Sequence, residues 1–323
     1  MSDVLAIVIG CLLVAAPAPA LIAWLRKYGV AQEIRDNGPE RHLQKAGTPT
    51  MGGVLIVASL SLTFLLVAGY LRLKPLWPGL LLIALTLAFA AIGLADDWLM
   101  IRHGRSLGLK ARHKLLLQFV AAALFLWAVH GVSLLSESIL LPFTGRTWLM
   151  GWAYFPFAAV LIVGMSNAVN LTDGLDGLAA GLVLICCAAL GVVAGWSGDE
   201  ATRLFCFAAA GACAGFLWFN VNPARIFMGD TGSLALGAAI GGIGVMLSEE
   251  LSVLIIGVVF VVEALSVIAQ VVAFKTTRRR IIRMSPLHHH FELGGWPENQ
   301  VVVRFWIIAA IVAMAVLAAR PLA

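Results

Sequence analysis

Long apolar runs separated by short polar stretches dominate the chain. Each run is close to the roughly 20 residues that cross a bilayer core as a helix. Ten can be marked, at residues 4–25, 51–71, 76–95, 115–135, 148–170, 178–196, 204–222, 231–247, 251–274 and 301–319. The pattern predicts an all-α, polytopic integral membrane protein with about ten transmembrane helices. No separate soluble segment, repeat or low-complexity tract is visible, so we expect a single transmembrane domain over residues 1–323.

The composition excludes an ordinary soluble protein. Hydrophobic residues make up 61% of the chain and charged residues only 12%, against about 25% charged in a typical soluble domain. So few charges could not cover the surface of a soluble protein of this size. The five cysteines lie inside apolar runs without the spacing of a zinc site, so we interpret them as small core residues.

The first apolar run superficially resembles a secretory signal. However, its cations Arg26 and Lys27 follow the run, whereas Ser2 and Asp3 precede it. A secretory signal carries its cations first. We therefore interpret residues 4–25 as a retained first span.

The Lys and Arg residues are distributed unevenly between the two sides of the membrane. When loops are assigned alternately to the two sides, one side takes 17 of the 22 cations. The positive-inside rule makes that side cytoplasmic, so both termini are expected to be periplasmic. A net charge of +5 in this arrangement indicates a membrane surface as the partner, and no nucleic acid.

The candidate chemical groups lie on the same cation-rich side. They are Asp96, Asp97, Asp173, Asp176, Asp230, His288, His289 and His290. The outer loops hold no comparable motif. An active site open to the cytoplasm, where a soluble substrate can meet a lipid headgroup, is the natural interpretation.

Asp96 and Asp97 close the predicted third span. Adjacent carboxylates can share a cation, or one can act as a base while its neighbour tunes it. Mg²⁺ suits such a pair, because it binds a few carboxylates together with substrate phosphates and water. A solvated helix terminus is the alternative.

A regular series of polar residues follows the fifth span. Asn167, Asn170, Asp173 and Asp176 recur every three residues, which places them on one face if the turn is helical. The intervening glycines allow close approach of the backbone to a ligand. This spacing favours a ligand site over a structural role.

Two further loops carry polar motifs. Asp230 could cap the eighth span, or its helix N-terminus could bind a phosphate or a metal-bridged diphosphate. The basic stretch 275–280 is typical of an anchor for anionic lipid headgroups. Because successive helical residues are separated by about 100°, the three histidines at 288–290 cannot all face one ligand. Zinc ligation there lacks the usual spacing.

Glu263 and Gln270 lie seven residues apart on one face of the ninth span. An ionisable residue inside the membrane is a functional candidate. A buried pair that stabilises the helix bundle is an equal alternative for Glu263.

Together, these motifs resemble those of the phospho-N-acetylmuramoyl-pentapeptide-transferase family. The matching stretches follow one another through nearly the whole chain, at residues 39–53, 96–97, 167–178, 227–233, 284–292 and 304–308. The stretches at 47–53 and 286–292 distinguish this family from the wider polyprenyl-phosphate aminosugar-phosphate transferases, which share the other motifs.

The resemblance implies a reaction and its setting. Phospho-MurNAc-pentapeptide would pass from UDP-MurNAc-pentapeptide to undecaprenyl phosphate, giving lipid I and UMP. It also implies Mg²⁺ as cofactor, ten spans with an outward N-terminus, a homodimer, and a bacterial inner membrane with the active site facing the cytoplasm.

The resemblance also assigns site residues. Asp96, Asp97 and Asp230 match the catalytic aspartates, and Asp230 is the expected Mg²⁺ ligand. Positions expected to bind substrate are Lys45, Lys114, Asn170, Asp173, Asp176, Asn220, Phe227, Gln270, His288, His289 and His290.

Two mechanisms stay open. In one, Asp96 deprotonates or orients the lipid phosphate for a one-step displacement. In the other, Asp230 or Asp97 forms a covalent aspartyl-phosphate. The competing functions are a transporter, which the placement of the acidic motifs at one face disfavours, and a sister transferase that uses UDP-GlcNAc.

Overall fold

Helices account for most of the chain, because backbone groups within a bilayer must bond inside their own segment. The computed structural model describes residues 2–30, 47–103, 108–132 and 135–319. The helices in these ranges are α1 Ser2–Ala15, α2 Ala18–Lys27, α3 Gly53–Leu71, α4 Trp77–His103, α5 Ala111–Gly131, α6 Tyr154–Thr172, α7 Leu178–Trp196, α8 Glu200–Asn220, α9 Gly229–Leu247, α10 Glu250–Ile256, α11 Val258–Thr277, α12 Leu287–Glu292 and α13 Glu298–Ala318.

Ten helical segments in the described ranges are long and apolar enough to cross a membrane. This confirms the predicted all-α polytopic fold. The first segment combines α1 and α2, which meet at Pro17, a residue that lacks the backbone N–H needed to continue a helix.

Two predicted spans have different bounds in the structure. The predicted span 251–274 is divided at Gly257, so that the short helix α10 precedes a span that begins at Val258. The predicted span 76–95 continues to His103, which places Asp96 and Asp97 inside α4 rather than at its end. A two-stranded antiparallel hairpin, which the apolar pattern did not predict, connects α5 to α6; it pairs β1 Ser138–Leu140 with β2 Thr147–Leu149.

Helix α9 lies at the centre of the bundle and is buried along nearly its whole length. Small residues let neighbouring backbones approach it closely, which is how helices associate where lipid weakens the hydrophobic drive. A Cβ atom on Gly237 would lie 2.4 Å from the carbonyl oxygen of Met165 in α6. The N-terminus of α9 is thereby fixed against the helices that carry the other polar motifs.

Candidate active site

The N-terminal turn of α9 is capped by a carboxylate from another helix. Asp97 of α4 accepts hydrogen bonds from the backbone N–H of Asp230 (3.0 Å), the backbone N–H of Thr231 (3.0 Å) and the hydroxyl of Thr231 (2.6 Å). A helix leaves its first N–H groups without intrahelical partners, and an anion there is favoured by the helix dipole. Asp97 is only 1% exposed, so its charge is used to hold Asp230 in place.

Asp230 is the centre of a polar cluster built from four helices. Its Oδ1 accepts a hydrogen bond from the amide of Asn170 at 2.8 Å, and its Oδ2 accepts one from the ammonium group of Lys114. The Lys114 nitrogen also lies 3.6 Å from Oδ2 of Asp96. Asn170 donates a second bond to the hydroxyl of Ser233, at 2.9 Å.

The adjacent residues Asp96 and Asp97 therefore have different surroundings. Asp96 Oδ1 accepts a hydrogen bond from the backbone N–H of Leu109 at 2.7 Å, and its Oδ2 faces Lys114. A Cβ on Gly108 would lie 2.6 Å from the carbonyl oxygen of Asp96. Gly108 and Leu109 thus pack directly on Asp96 and orient its carboxylate toward Lys114.

The glycines of the 47–53 motif make room for the first turn of α9. Gly53 donates a backbone hydrogen bond to the carbonyl of Met228 at 2.8 Å, and a Cβ on Gly53 would lie 2.2 Å from the nitrogen of Gly232. The neighbouring Gly52 donates to the carbonyl of Phe227 at 2.9 Å. These contacts explain why two successive glycines occupy this position.

Asp173 lies in the turn between α6 and α7, and its carboxyl group makes no hydrogen bond to another described residue. Burial, together with the negative charges of Asp230, Asp97 and Asp176, raises the pKa of Asp173 to about 7. These influences place Asp173 near the Asp230 cluster. Its carboxyl group is the least engaged of the predicted site aspartates.

Asp176 and Asn220 take part in the structure of the loops. Asp176 Oδ2 accepts hydrogen bonds from the amide of Asn222 and the backbone N–H of Ala224, each at 3.0 Å. Asn220 accepts from the backbone N–H of Gly177 at 3.0 Å and donates to the carbonyl of Ile226 at 2.9 Å. Together they fasten the α8–α9 loop to the α6–α7 turn.

Glu298 is a member of this network that the sequence did not single out. Its Oε1 accepts the backbone N–H of Asp176 at 2.8 Å, and its Oε2 lies 3.3 Å from the amide of Asn222. A lone glutamate at the start of a helix carries no motif, so only its position after the 286–292 motif could have indicated this role.

Gln270 and His290 hold the basic loop that follows α11. Gln270 donates to the carbonyl of Ile282 at 2.9 Å and accepts from the backbone N–H of Ile281 at 2.9 Å. His290 Nδ1 accepts the backbone N–H of Arg283 at 3.1 Å. Both residues therefore shape the loop directly.

The other two histidines have separate partners. His288 is fully buried beside Glu263, whereas His289 Nδ1 lies 2.8 Å from Oε2 of Glu292. His289 is the more exposed of the two, with 12% of its side chain accessible. As the helical spacing predicted, the three histidines do not converge on one point.

Two of the predicted substrate-binding residues remain. Phe227 is half-buried, and its backbone N–H bonds to the carbonyl of Pro49 at 2.7 Å. Lys45 lies outside the described residues.

The donor set around Asp230 fits a hard divalent cation. Asp230 and Asp96 supply carboxylate oxygens, which Mg²⁺ prefers, and the ammonium group of Lys114 already lies between them as a cation does. No cluster of three or more His, Cys, Asp or Glu residues in the described part of the chain could hold a metal by itself. An ion here would therefore share its coordination with substrate phosphates and water.

Chemically, the cluster joins two carboxylates, an ammonium group and an amide at a helix N-terminus. Such an arrangement attracts phosphate through Lys114 and the helix end, and cations through the aspartates. It lies where α4, one end of α6 and the start of α9 meet the first turn of α5.

Comparisons with known proteins agree with the motifs. The model of glycosyl transferase family 4 matches residues 79–248, and signature 1 of phospho-N-acetylmuramoyl-pentapeptide-transferase matches residues 45–57. A phospho-N-acetylmuramoyl-pentapeptide-transferase from Moorella thermoacetica is 50% identical over 302 residues, which cover 92% of each chain. Those from Pelotomaculum thermopropionicum and Bacillus cytotoxicus are 47% and 45% identical, covering 93% of this chain and 92% of their own.

Proposed function

This chain belongs to the phospho-N-acetylmuramoyl-pentapeptide-transferase family, and on that premise we propose how its carboxylate cluster performs the transfer. The protein is a membrane transferase that acts in the first membrane step of peptidoglycan synthesis. It moves phospho-MurNAc-pentapeptide from UDP-MurNAc-pentapeptide to undecaprenyl phosphate, releasing UMP and giving lipid I.

The contact of Lys114 with both Asp230 and Asp96 is the observation that carries the site assignment. Phosphoryl transfer depends mainly on positioning and charge neutralisation, with little covalent work for the protein. An ammonium group beside two carboxylates can bind the acceptor phosphate and leave the carboxylates facing it. The Asn170 amide and the α9 N-terminus keep Asp230 oriented during this exchange.

We assign Mg²⁺ to Asp230, whose carboxylate lies at the centre of the cluster. When bound, the ion neutralises the negative charge of the diphosphate. Lys114 must then move from Asp230 toward the substrate phosphates, because its ammonium group now occupies the side of Asp230 that faces Asp96.

The hydrogen bonds support one-step displacement. Both oxygens of Asp97 are occupied by the α9 N-terminus, which leaves it poorly placed to attack phosphorus. Asp96 accepts a backbone hydrogen bond from Leu109 and faces Lys114, so it suits the orientation or deprotonation of the lipid phosphate. We assign Asp96 that role.

We place the donor nucleotide and sugar over the α6–α7 turn and α12. We assign Asp173 and His289 to contact with the donor, whereas Asp176, Asn220, Gln270 and His290 shape the loops around them. Lys45 and Phe227 are assigned to the same donor site through the family motifs.

The wider setting is also proposed. We assign the protein to the bacterial inner membrane, with both termini periplasmic, the cluster facing the cytoplasm, one domain over residues 1–323, and a homodimer as its assembly. The uneven distribution of Lys and Arg supports this orientation, and light scattering of the purified protein tests the dimer.

A direct assay tests the function. Purified protein is incubated with Mg²⁺, undecaprenyl phosphate and labelled UDP-MurNAc-pentapeptide, and in parallel with labelled UDP-GlcNAc. Lipid-linked product and UMP from the first donor alone are expected. Product from UDP-GlcNAc alone would assign a sister transferase, and uptake into vesicles without a new lipid would overturn the transferase.

A further inference from the structure

A glutamate in the membrane-spanning helix α11 faces the histidine motif with both carboxylate oxygens. Glu263 Oε1 accepts the backbone N–H of His288 at 3.0 Å, and Oε2 lies 3.3 Å from Nδ1 of the same residue, at an angle poor for a hydrogen bond. Both residues have no exposed surface. Burying a carboxylate costs several kcal/mol unless it is paired, so this contact is needed wherever Glu263 is charged.

The contact stabilises a short helix that would be marginal alone. Helix α12 has only six residues, and its first N–H groups lack intrahelical partners. Glu263 satisfies the N–H of His288 in that first turn. The orientation of α12 therefore depends on Glu263, a residue of another helix. The position of the His289 ring depends on it too, because its centroid lies 4.2 Å from that of the His288 ring.

The second ring nitrogen of His288 faces the loop that carries Asp173. Among the described residues, His288 Nε2 has no hydrogen-bond partner, and a Cβ on Gly174 would lie only 2.5 Å from it. The imidazole thus packs directly against the backbone between Asp173 and Asp176. Gly174 is required at this point, because any side chain there would displace the ring.

We propose that Glu263 and His288 form a positioning pair, in which Glu263 holds α12 and the imidazole of His288 under the Asp173–Asp176 turn so that His289 and Asp173 meet the nucleotide-sugar donor. In this assignment His288 does not contact the donor itself. The inference rests on the proposed function, because it concerns the donor side of the same site.

Kinetics on substituted full-length protein test the pair. Glu263→Leu removes both acceptors and should raise the KM for UDP-MurNAc-pentapeptide on the order of 10- to 100-fold, the effect of misplacing groups by about 1 Å. The KM for undecaprenyl phosphate should stay unchanged. Glu263→Gln keeps one acceptor oxygen for the His288 N–H and should recover most of the donor affinity.

Glu250 provides a matched control. It is also a fully buried glutamate, with Tyr154 as its partner, and it begins α10, which follows the end of α9 remote from the cluster. Glu250→Leu should lower the melting temperature about as much as Glu263→Leu but leave the donor KM unchanged. If both substitutions lower stability equally and neither variant changes its KM for the donor, the pair is merely structural and the proposal is overturned.

A second pair of variants serves if Glu263→Leu does not fold. An asparagine amide at position 288 reaches the place of Nδ1 and keeps the contact with Glu263, whereas a glutamine amide reaches the place of Nε2. His288→Asn should therefore bind the donor better than His288→Gln, and the reverse order would contradict the assignment. If the unsubstituted protein makes no lipid-linked product, the proposed function fails; if it does and the variants match it, only the pair fails.

Discussion

Asp96 and Asp97 are neighbours in sequence, yet helix geometry gives them different tasks. Successive residues on a helix point about 100° apart. Asp97 therefore faces the first turn of α9, while Asp96 faces Lys114 and the segment after α4. The pair could be recognised from sequence as chemically important, but the assignment of each oxygen required the position of α9.

Asp97→Asn should abolish most of the activity, because it disturbs the first turn of α9. An asparagine can accept only one of the two backbone N–H groups, and its amide would face the N–H of Thr231. A buried donor left unpaired costs about 1–3 kcal/mol, and a displacement of Asp230 by about 1 Å would lower the rate about 100-fold. Thermal unfolding and transfer rates measure the two effects.

Asp199 is the control for that experiment. It caps α8 through the N–H of Thr202 at 2.9 Å and its hydroxyl at 2.6 Å, in the turn between α7 and α8. Asp199→Ala should cost about 0.5–2 kcal/mol of stability without loss of activity. A full rate in folded Asp97→Asn would contradict the positioning role.

Asp173 should make the stability of the protein depend on pH. Its pKa in the folded protein, about 7, lies above the ordinary value of 3.8, so the folded state holds the proton more tightly. The resulting stabilisation is full below about pH 3.8 and is lost as the pH rises through about 7. Asp173→Asn should therefore gain melting temperature relative to the unsubstituted protein between about pH 5 and pH 8, measured without divalent cations.

Glu250 gives an independent check of the same principle. Burial raises its pKa to about 7 as well, so Glu250→Gln should show the same trend. If the difference in melting temperature between Asp173→Asn and the unsubstituted protein stays the same at every pH, the pKa of Asp173 is not raised.

At the scale of helices, close contacts between backbones set the position of the site. A Cβ on Gly93 of α4 would lie 2.2 Å from the carbonyl oxygen of Asp230, at the start of α9. Interiors packed this closely transmit small displacements. Residues that never touch a substrate can therefore control the geometry of Asp230.

Gly93→Ala should separate α4 from α9 and lower the transfer rate about 100-fold, as expected for a displacement near 1 Å. Gly164 in α6 is the matched control, since a Cβ there would meet nothing within 4 Å. Gly164→Ala should keep full activity and gain about 0.5–1 kcal/mol from higher helix propensity. Equal rates in the two variants would disprove the steric role of Gly93.

The sequence predicted the spans well because apolar runs of fixed length are imposed by the bilayer. The sequence predicted the bounds of a span less well where local backbone conformation interrupts a helix. This happens at Gly257, where the predicted ninth span is divided. Site residues were predicted as a set, but their division into central and supporting groups was not. Asp176 and Asn220, for example, bond to loop backbone that no local pattern could place near them.

At the scale of the whole molecule, the polar motifs gather at one end of the bundle. Lys114 starts α5, Asn170 ends α6 and Asp230 starts α9, and all three meet in one cluster. Tyr154 and Glu250 meet near the opposite ends of α6 and α9. A soluble donor can therefore reach the cluster from only one side of the membrane.

Cysteine labelling tests which side that is. Ser197, between α7 and α8, and Thr277, at the end of α11, are both exposed. A membrane-impermeant maleimide should label Ser197→Cys in intact spheroplasts and Thr277→Cys only after lysis. The unsubstituted protein is the control, because four of its cysteines are buried and Cys11 lies within α1. Labelling of Thr277→Cys alone in intact spheroplasts would place the cluster outside, and the positive-inside assignment would be wrong.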